Sequence, residues 1–231
     1  MSDVTLSSIL FVDIETVPYH ASRDQLGEWL QALWTKKIEK MMKYDDSLVD
    51  GMSSYMQRAG IFAEFGKIIC ISVWYIRQEW EGSDHQYVTK SFAGDDEKVI
   101  LSDFFTMLDS HYSQSHHRLC GHNIIEFDIP YLCRRGVVHG LRLPSILQLQ
   151  GKKPREVPHL DTLEMRKFGD KKNYTSLDLL CHVMHVPTPK SDISWEQVSH
   201  VYREDRDLDR IVRYCERDVA AVMQLYLKFM I

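Results

Sequence analysis

Apolar residues first concentrate in Ser8-Ile-Leu-Phe-Val-Asp13, a β-branched run that predicts a buried strand ending on a carboxylate, with Pro18 closing the segment. From about 24 to 43 the apolar positions Leu26, Trp29, Leu30, Leu33, Ile38 and Met41 recur at helical spacing, while Lys36, Lys37, Lys40 and Lys43 occupy another face. A second short helix is expected over 52–59. Two strands follow, 67–76 and 86–92, with Gly82-Ser83-Asp84 as turn chemistry between them. Residues 95–112 read as a helix with Val99, Ile100, Phe104, Phe105 and Leu108 on one side, and 118–121 as a short strand. The next helix covers 126–138, with Pro130 near its first turn, where the missing N–H costs nothing. A loop-rich stretch over 140–158, holding Lys152, Lys153 and Arg155, leads to a helix over 176–185 capped by Thr175 or Ser176 and ended by Pro187 and Pro189. The last helix, 206–230, aligns Leu208, Ile211, Val212, Cys215, Val219, Val222, Leu225, Tyr226 and Phe229.

Antiparallel strands early in the chain, then alternating helices and strands, predict a mixed α/β sheet in one domain spanning 1–231. The segment 18–65 reads as a helical insertion between the first two strands, with a lid, a partner surface and simple packing all open. Composition agrees with a globular protein, at 44% hydrophobic and 26% charged residues. No apolar run reaches membrane-span length, and the start of the chain lacks a basic leader, so no membrane partner is expected. Five cysteines without a C-x-x-C pair read as core thiols in a reducing, cytoplasmic setting. The net charge of −5 excludes bulk electrostatic attraction as the route to nucleic acid. An acidic chain that must meet phosphate needs bound cations or clustered lysines at the contact.

Three short patterns carry candidate chemistry. The first is Asp13-Ile-Glu15-Thr16, where an apolar strand delivers two carboxylates two residues apart, aimed to one side by the pleat. A second triplet of this kind, Asp95-Asp96-Glu97, opens a helix and reads as structural, since acids in a first turn complement the dipole. The second pattern, Gly121-His-Asn123-Ile-Ile-Glu-Phe127-Asp128, runs from strand through loop to helix and brings Asp128 to the mouth of the sheet. The third, Tyr214-Cys-Glu-Arg-Asp218, sets a phenol and a carboxylate one helical turn apart beside the apolar stripe. None is specific alone. Together they bring Asp13, Glu15, Asp128 and Asp218 toward convergence, and four like charges in one pocket require a counter-charge. Two divalent ions supply it, and an all-oxygen donor set suits Mg²⁺ or Mn²⁺ rather than Zn²⁺.

With these motifs the chain resembles the DEDD superfamily of 3′-to-5′ exonucleases, in the branch with tyrosine in the third motif. Within it, the chain is most similar to stand-alone bacterial proteins related to the exonuclease domain of family-B DNA polymerases. The likeness extends to Phe65-Gly-Lys-Ile-Ile-Cys-Ile-Ser72, Gly121 to Leu132, Lys167-Phe-Gly-Asp170 and Tyr174-Thr-Ser-Leu-Asp-Leu-Leu180. The resemblance implies a ribonuclease H-like fold, with a mixed five-stranded sheet flanked by helices. It further implies that Asp13, Glu15, Asp128 and Asp218 are metal ligands and that Tyr214 positions the attacking water. His122 departs from many relatives, which bears on fine substrate contacts. Arg213 occupies the position where the histidine-type branch carries histidine.

Thr16 and Asn123 are candidate contacts to the terminal nucleotide. Lys171 and Lys172, just ahead of the helix at Ser176, are candidate phosphate contacts. The lysine face at 36–43, with Trp34 nearby, either tracks a single strand or is simply solvated. His182 and His185 lack a third ligand at zinc spacing. The expected partner is a single-stranded nucleic acid 3′ end, DNA ahead of RNA, and no protein partner is identifiable. The rival readings are an exoribonuclease and a catalytically silent binding module.

Overall fold

The computed structural model describes residues 5–43, 53–77, 86–170, 174–188 and 192–230. Five strands form one sheet: β1 (Ile9–Pro18), β2 (Gly66–Arg77), β3 (Gln86–Ala93), β4 (Arg118–Gly121) and β5 (Leu160–Asp161), in the order β3-β2-β1-β4-β5. β2 runs antiparallel to both β1 and β3, whereas β4 lies parallel to β1 and β5 parallel to β4. This is the mixed five-stranded sheet that the resemblance implies. Eight α-helices accompany it among the described residues: α1 (Glu28–Met42), α2 (Ser53–Arg58), α3 (Glu97–His111), α4 (Asp128–Val138), α5 (Thr162–Lys167), α6 (Leu177–Val183), α7 (Trp195–His200) and α8 (Leu208–Phe229). None of them is long and apolar enough to cross a membrane.

The parity of β1 explains where the site forms. Leu10, Val12 and Ile14 point to one face, where they join Ile100, Leu101, Phe104 and Phe105 of α3 and Ile129 and Leu132 of α4. Ile9 and Phe11 point to the other face, against Val219, Val222, Met223 and Tyr226 of α8. Asp13 and Glu15 continue that second series, so the pleat carries both carboxylates to the side covered by α8. A register shift between Glu15 and Thr16 then breaks the alternation, and Thr16 reaches the same cleft.

Most elements lie where hydrophobic spacing puts them, with informative exceptions. β1 does not end at Asp13 but runs five residues further, because β2 pairs with it as far as Pro18↔Gly66. Sheet pairing overrides the polar residues that read as a strand end. In α1 the buried pair is Trp34 and Ile38, whereas Trp29 is exposed. Trp34 is fully buried among Tyr55, Phe62 and Phe65, so it cannot stack on a nucleic acid strand. In α3, Val99 faces solvent, and Glu97 is buried instead. The Asp95-Asp96-Glu97 triplet is structural in a specific way. Asp96 caps the helix by accepting from the amides of Lys98 and Val99, and Glu97 accepts from the Arg135 guanidinium, Oε1 from Nε at 2.9 Å and Oε2 from Nη2 at 2.5 Å. The short elements β5, α5 and α7 are additions to the expected set. The turn at 82–84 lies outside the described residues. All five cysteine thiols are free.

The segment 18–65 holds α1 and α2 and a small core of its own, built from Leu26, Trp34, Ile38, Tyr55, Ala59 and Phe65. It also reaches the sheet: Tyr131 of α4 and Thr16 of β1 both donate to the Gly60 carbonyl, at 2.9 and 2.8 Å.

Candidate active site

A cleft of about 390 Å³ opens over the second half of β1, lined by Asp13, Glu15, Thr16, Asn123, Asp128, Tyr214 and Asp218 among others. Three separate elements supply its carboxylates. Asp13 and Glu15 come from β1, Asp128 from the first residue of α4, and Asp218 from the middle of α8.

Asp128 reaches over the strand, and its Oδ1 accepts a hydrogen bond from the Ile14 amide at 3.2 Å. That amide lies between the two acidic residues of β1, so the bond fixes α4 against the site. The loop leading into α4 is held in turn by Asp161 at the end of β5. Its carboxylate accepts from the amides of Asn123 (2.9 Å), Ile125 (3.2 Å) and Leu163 (2.9 Å), the last being the N-cap bond of α5. Asn123 takes a left-handed backbone, φ 63°, a conformation asparagine tolerates better than most residues. Asp161 is thus a positioning residue that the sequence patterns passed over, because it stands alone in a two-residue strand.

Burial dominates the electrostatics. It pushes the Asp13 carboxyl well above the usual carboxylate range, and the charges of Asp218 and Asp128 push it further. Glu15 is raised well above its ordinary value by burial and then by Asp13 and Asp218. Asp128 is pushed up to about 7, by burial first and then by Asp161 and Asp218, against the backbone hydrogen bonds it accepts. Burial, then Asp218, Glu15 and Asp13, hold the Tyr214 phenol far above its ordinary value, and it donates to Asp218 one turn away. Tyr214 is therefore a protonated donor. Among the described residues no Lys, Arg or His forms an ion pair with Asp13, Glu15 or Asp128. Buried like charges without a protein cation are the condition that a bound metal relieves.

Cys215 adds a contact that sequence reasoning assigned only to the core. Its Sγ lies 3.4 Å from Asp13 Oδ2 and 3.5 Å from the Asp13 carbonyl oxygen. Ligand atoms of Asp13, Glu15 and Cys215 all fall within 4.8 Å of one another, a spacing that fits a metal ion.

Residues 61–231 match a family described as a predicted 3′-5′ exonuclease related to the exonuclease domain of PolB. The chain belongs to this family. The match covers about three-quarters of the sequence and includes Asp128, Tyr214 and Asp218, while β1 with Asp13 and Glu15 precedes it. No curated protein matches the chain. Membership in a 3′-5′ exonuclease family agrees with the α/β architecture, a ribonuclease H-like exonuclease fold, and implies a nucleic acid substrate.

Around this cleft the remaining candidates divide. Thr16 and Asn123 both line it, although the Thr16 hydroxyl proton is committed to Gly60. Lys171 and Lys172 lie outside the described residues. The lysines of α1 do not line the cleft, and Lys37 is engaged with Glu64 at 3.4 Å and with the Phe62 ring at 4.0 Å. His122 is a structural tie: its Nε2 lies 3.0 Å from the Thr175 carbonyl and its Nδ1 3.0 Å from the Thr162 hydroxyl. A carbonyl only accepts, so Nε2 carries the proton and Nδ1 accepts in the neutral ring. Sequence patterns missed Trp195 and Ile61 as lining residues. Each is a single apolar residue outside any motif, and only its exposure at the rim marks it.

Proposed function

We propose that this chain is a metal-dependent 3′-5′ exonuclease that removes nucleotides from single-stranded DNA ends and releases nucleoside 5′-monophosphates. The observation that carries this reading is the meeting of Asp13, Glu15, Asp128 and Asp218, from three elements, in one cleft beside Tyr214. Asp13, Glu15 and Asp128 there lack a protein cation among the described residues. All four carboxylates would hold two divalent ions, and their oxygen donors favour Mg²⁺ or Mn²⁺. Such ions lower the pKa of a bound water and stabilise the leaving oxygen of an in-line displacement.

The chain's own residues do the rest. Asp13 and Glu15 present their oxygens from a central strand that cannot shift without breaking pairing on both sides, which pre-organises them. Asp128 is fixed by Ile14, and Asp218 by its hydrogen bond with Tyr214. Tyr214 stays protonated at neutral pH, so it orients the attacking water by a hydrogen bond and does not take its proton. Asn123 and Thr16 stand at the rim, where a terminal sugar or base would lie.

The test offers 5′-labelled single-stranded DNA and RNA of one sequence with Mg²⁺, Mn²⁺ or EDTA. Stepwise shortening of the DNA, dependent on metal, is expected. Faster shortening of the RNA would reassign the substrate, and binding without shortening in every metal would make the chain a silent module.

A further inference from the structure

We infer that Trp195 is the stacking platform for the 3′-terminal nucleobase, an inference that rests on the exonuclease reading of this cleft. Trp195 opens α7 and lines the cleft together with the carboxylates. With Thr16 and Ile61 it lines both this cleft and a small recess of about 40 Å³. Trp195 is 50% exposed.

Its exposure is not looseness of the helix. A capping box joins Ser194 to Gln197 around it, and the Ser194 amide donates to Gln197 Oε1 at 3.0 Å. Ile193, Val198 and Val201 on either side are buried in the cluster that also holds Tyr214 and Cys215. The backbone of Trp195 is thus tied to the same core as the helix bearing Tyr214, while the indole is left facing the cleft. Among the described residues no aromatic ring packs against it. Trp34, by contrast, is fully buried against three aromatic rings, and the exposed Trp29 of α1 does not line the cleft.

The chemistry of the cleft selects the occupant. Besides its four carboxylates it is lined by Asp178, and no described Lys or Arg lines it. It therefore repels an anionic ligand except through bound metal, and offers apolar and aromatic surface for everything else. A nucleotide has the matching division, a phosphate for the metal and a flat, uncharged base for the indole. Stacking needs no hydrogen-bond pattern, so the platform accepts any base.

The experiment measures equilibrium binding of a 5′-labelled thymidine dodecamer, intact or with an abasic 3′-terminal nucleoside, in Ca²⁺ with cleavage verified to be absent. Wild type is expected to prefer the intact end by about tenfold or more. Trp195→Ala should bind both at the abasic level, and Trp195→Phe should restore most of the preference. A Trp195→Ala protein that keeps the wild-type preference overturns the inference while leaving the exonuclease reading intact. So does loss of the preference only in Tyr174→Ala, which removes the other exposed aromatic residue lining the cleft. Failure of wild type to bind either oligonucleotide overturns the exonuclease reading and this inference with it.

Discussion

Asp128 Oδ1 accepts the amide proton of Ile14 at 3.2 Å, across 114 positions of sequence. The bond joins the start of α4 to the middle of β1, and its donor sits between Asp13 and Glu15. One carboxylate thereby both belongs to the acidic cluster and fixes the strand that carries the other two.

Asp13→Ala should abolish cleavage, by about 10³-fold or more, since it removes the carboxylate at the centre of the cluster. Tyr214→Phe keeps the ring and its packing and should retain measurable activity, reduced about 10- to 100-fold. Single-turnover rates with matched circular dichroism spectra check the pair. Equal and complete loss in both folded variants would remove the distinction between ligand and guide.

Asp128→Asn keeps an oxygen to accept from Ile14 and removes a charge. The folded pKa of about 7 lies above the ordinary 3.8, so ionising Asp128 opposes folding. Its stabilising contribution is present in acid and is lost as pH rises through 7. Without metal at pH 8 the variant should therefore melt a few degrees above wild type, 1 kcal/mol being worth about 2–4 °C at this size. Mg²⁺ should raise the wild-type melting temperature and cancel the difference, while activity falls in the variant. Thermal melts with EDTA and with Mg²⁺ measure both effects, and an unchanged or lower melting temperature in EDTA would contradict the buried-charge argument.

His159 predicts the opposite pH sign. Its Nδ1 accepts from the Leu119 amide at 3.1 Å, and its Nε2 donates to the Ile146 carbonyl at 3.0 Å, so the neutral ring satisfies both. Burial lowers its pKa to about 4, from 6.5. A proton binds the unfolded chain first, and stability falls as pH drops from 6.5 toward 4, by about 3 kcal/mol. Urea unfolding of wild type and His159→Gln at pH 7 and pH 4.5 isolates the contribution. The gap between them should narrow in acid.

Glu97 and Arg135 form a buried ion pair away from the cleft. Glu97 also accepts from the Ile68 amide at 2.8 Å and lies 2.7 Å from His139 Nε2, and Arg135 donates to the Ala63 carbonyl at 2.9 Å. Burial would raise the Glu97 carboxyl, but the bonds from Arg135, His139 and Ile68 hold it below its ordinary value. Arg135→Ala should cost about 3–5 kcal/mol by leaving that charge unpaired. Glu97→Gln combined with Arg135→Met should recover part of the loss in urea melts.

Continuous apolar runs were enough to place β2 and β4, which are buried on both faces, and helical spacing to place α3 and α8, which bury one. Pleat parity was enough to aim Asp13 and Glu15 the same way, and helical spacing to set Tyr214 beside Asp218, since both are local geometry. Which face they share was not local. It followed from α8 crossing the side of the sheet that bears Ile9 and Phe11, a choice made by packing between distant segments. The same holds for Asp161, whose three amide partners lie in a loop nearly forty residues away and in its own helix. It holds also for the two-residue β5, too short to show any period. Trp195 is exposed only because Ile193, Val198 and Val201 take up the buried positions around it. Contacts of this kind depend on which surfaces meet, and a linear pattern carries no record of that.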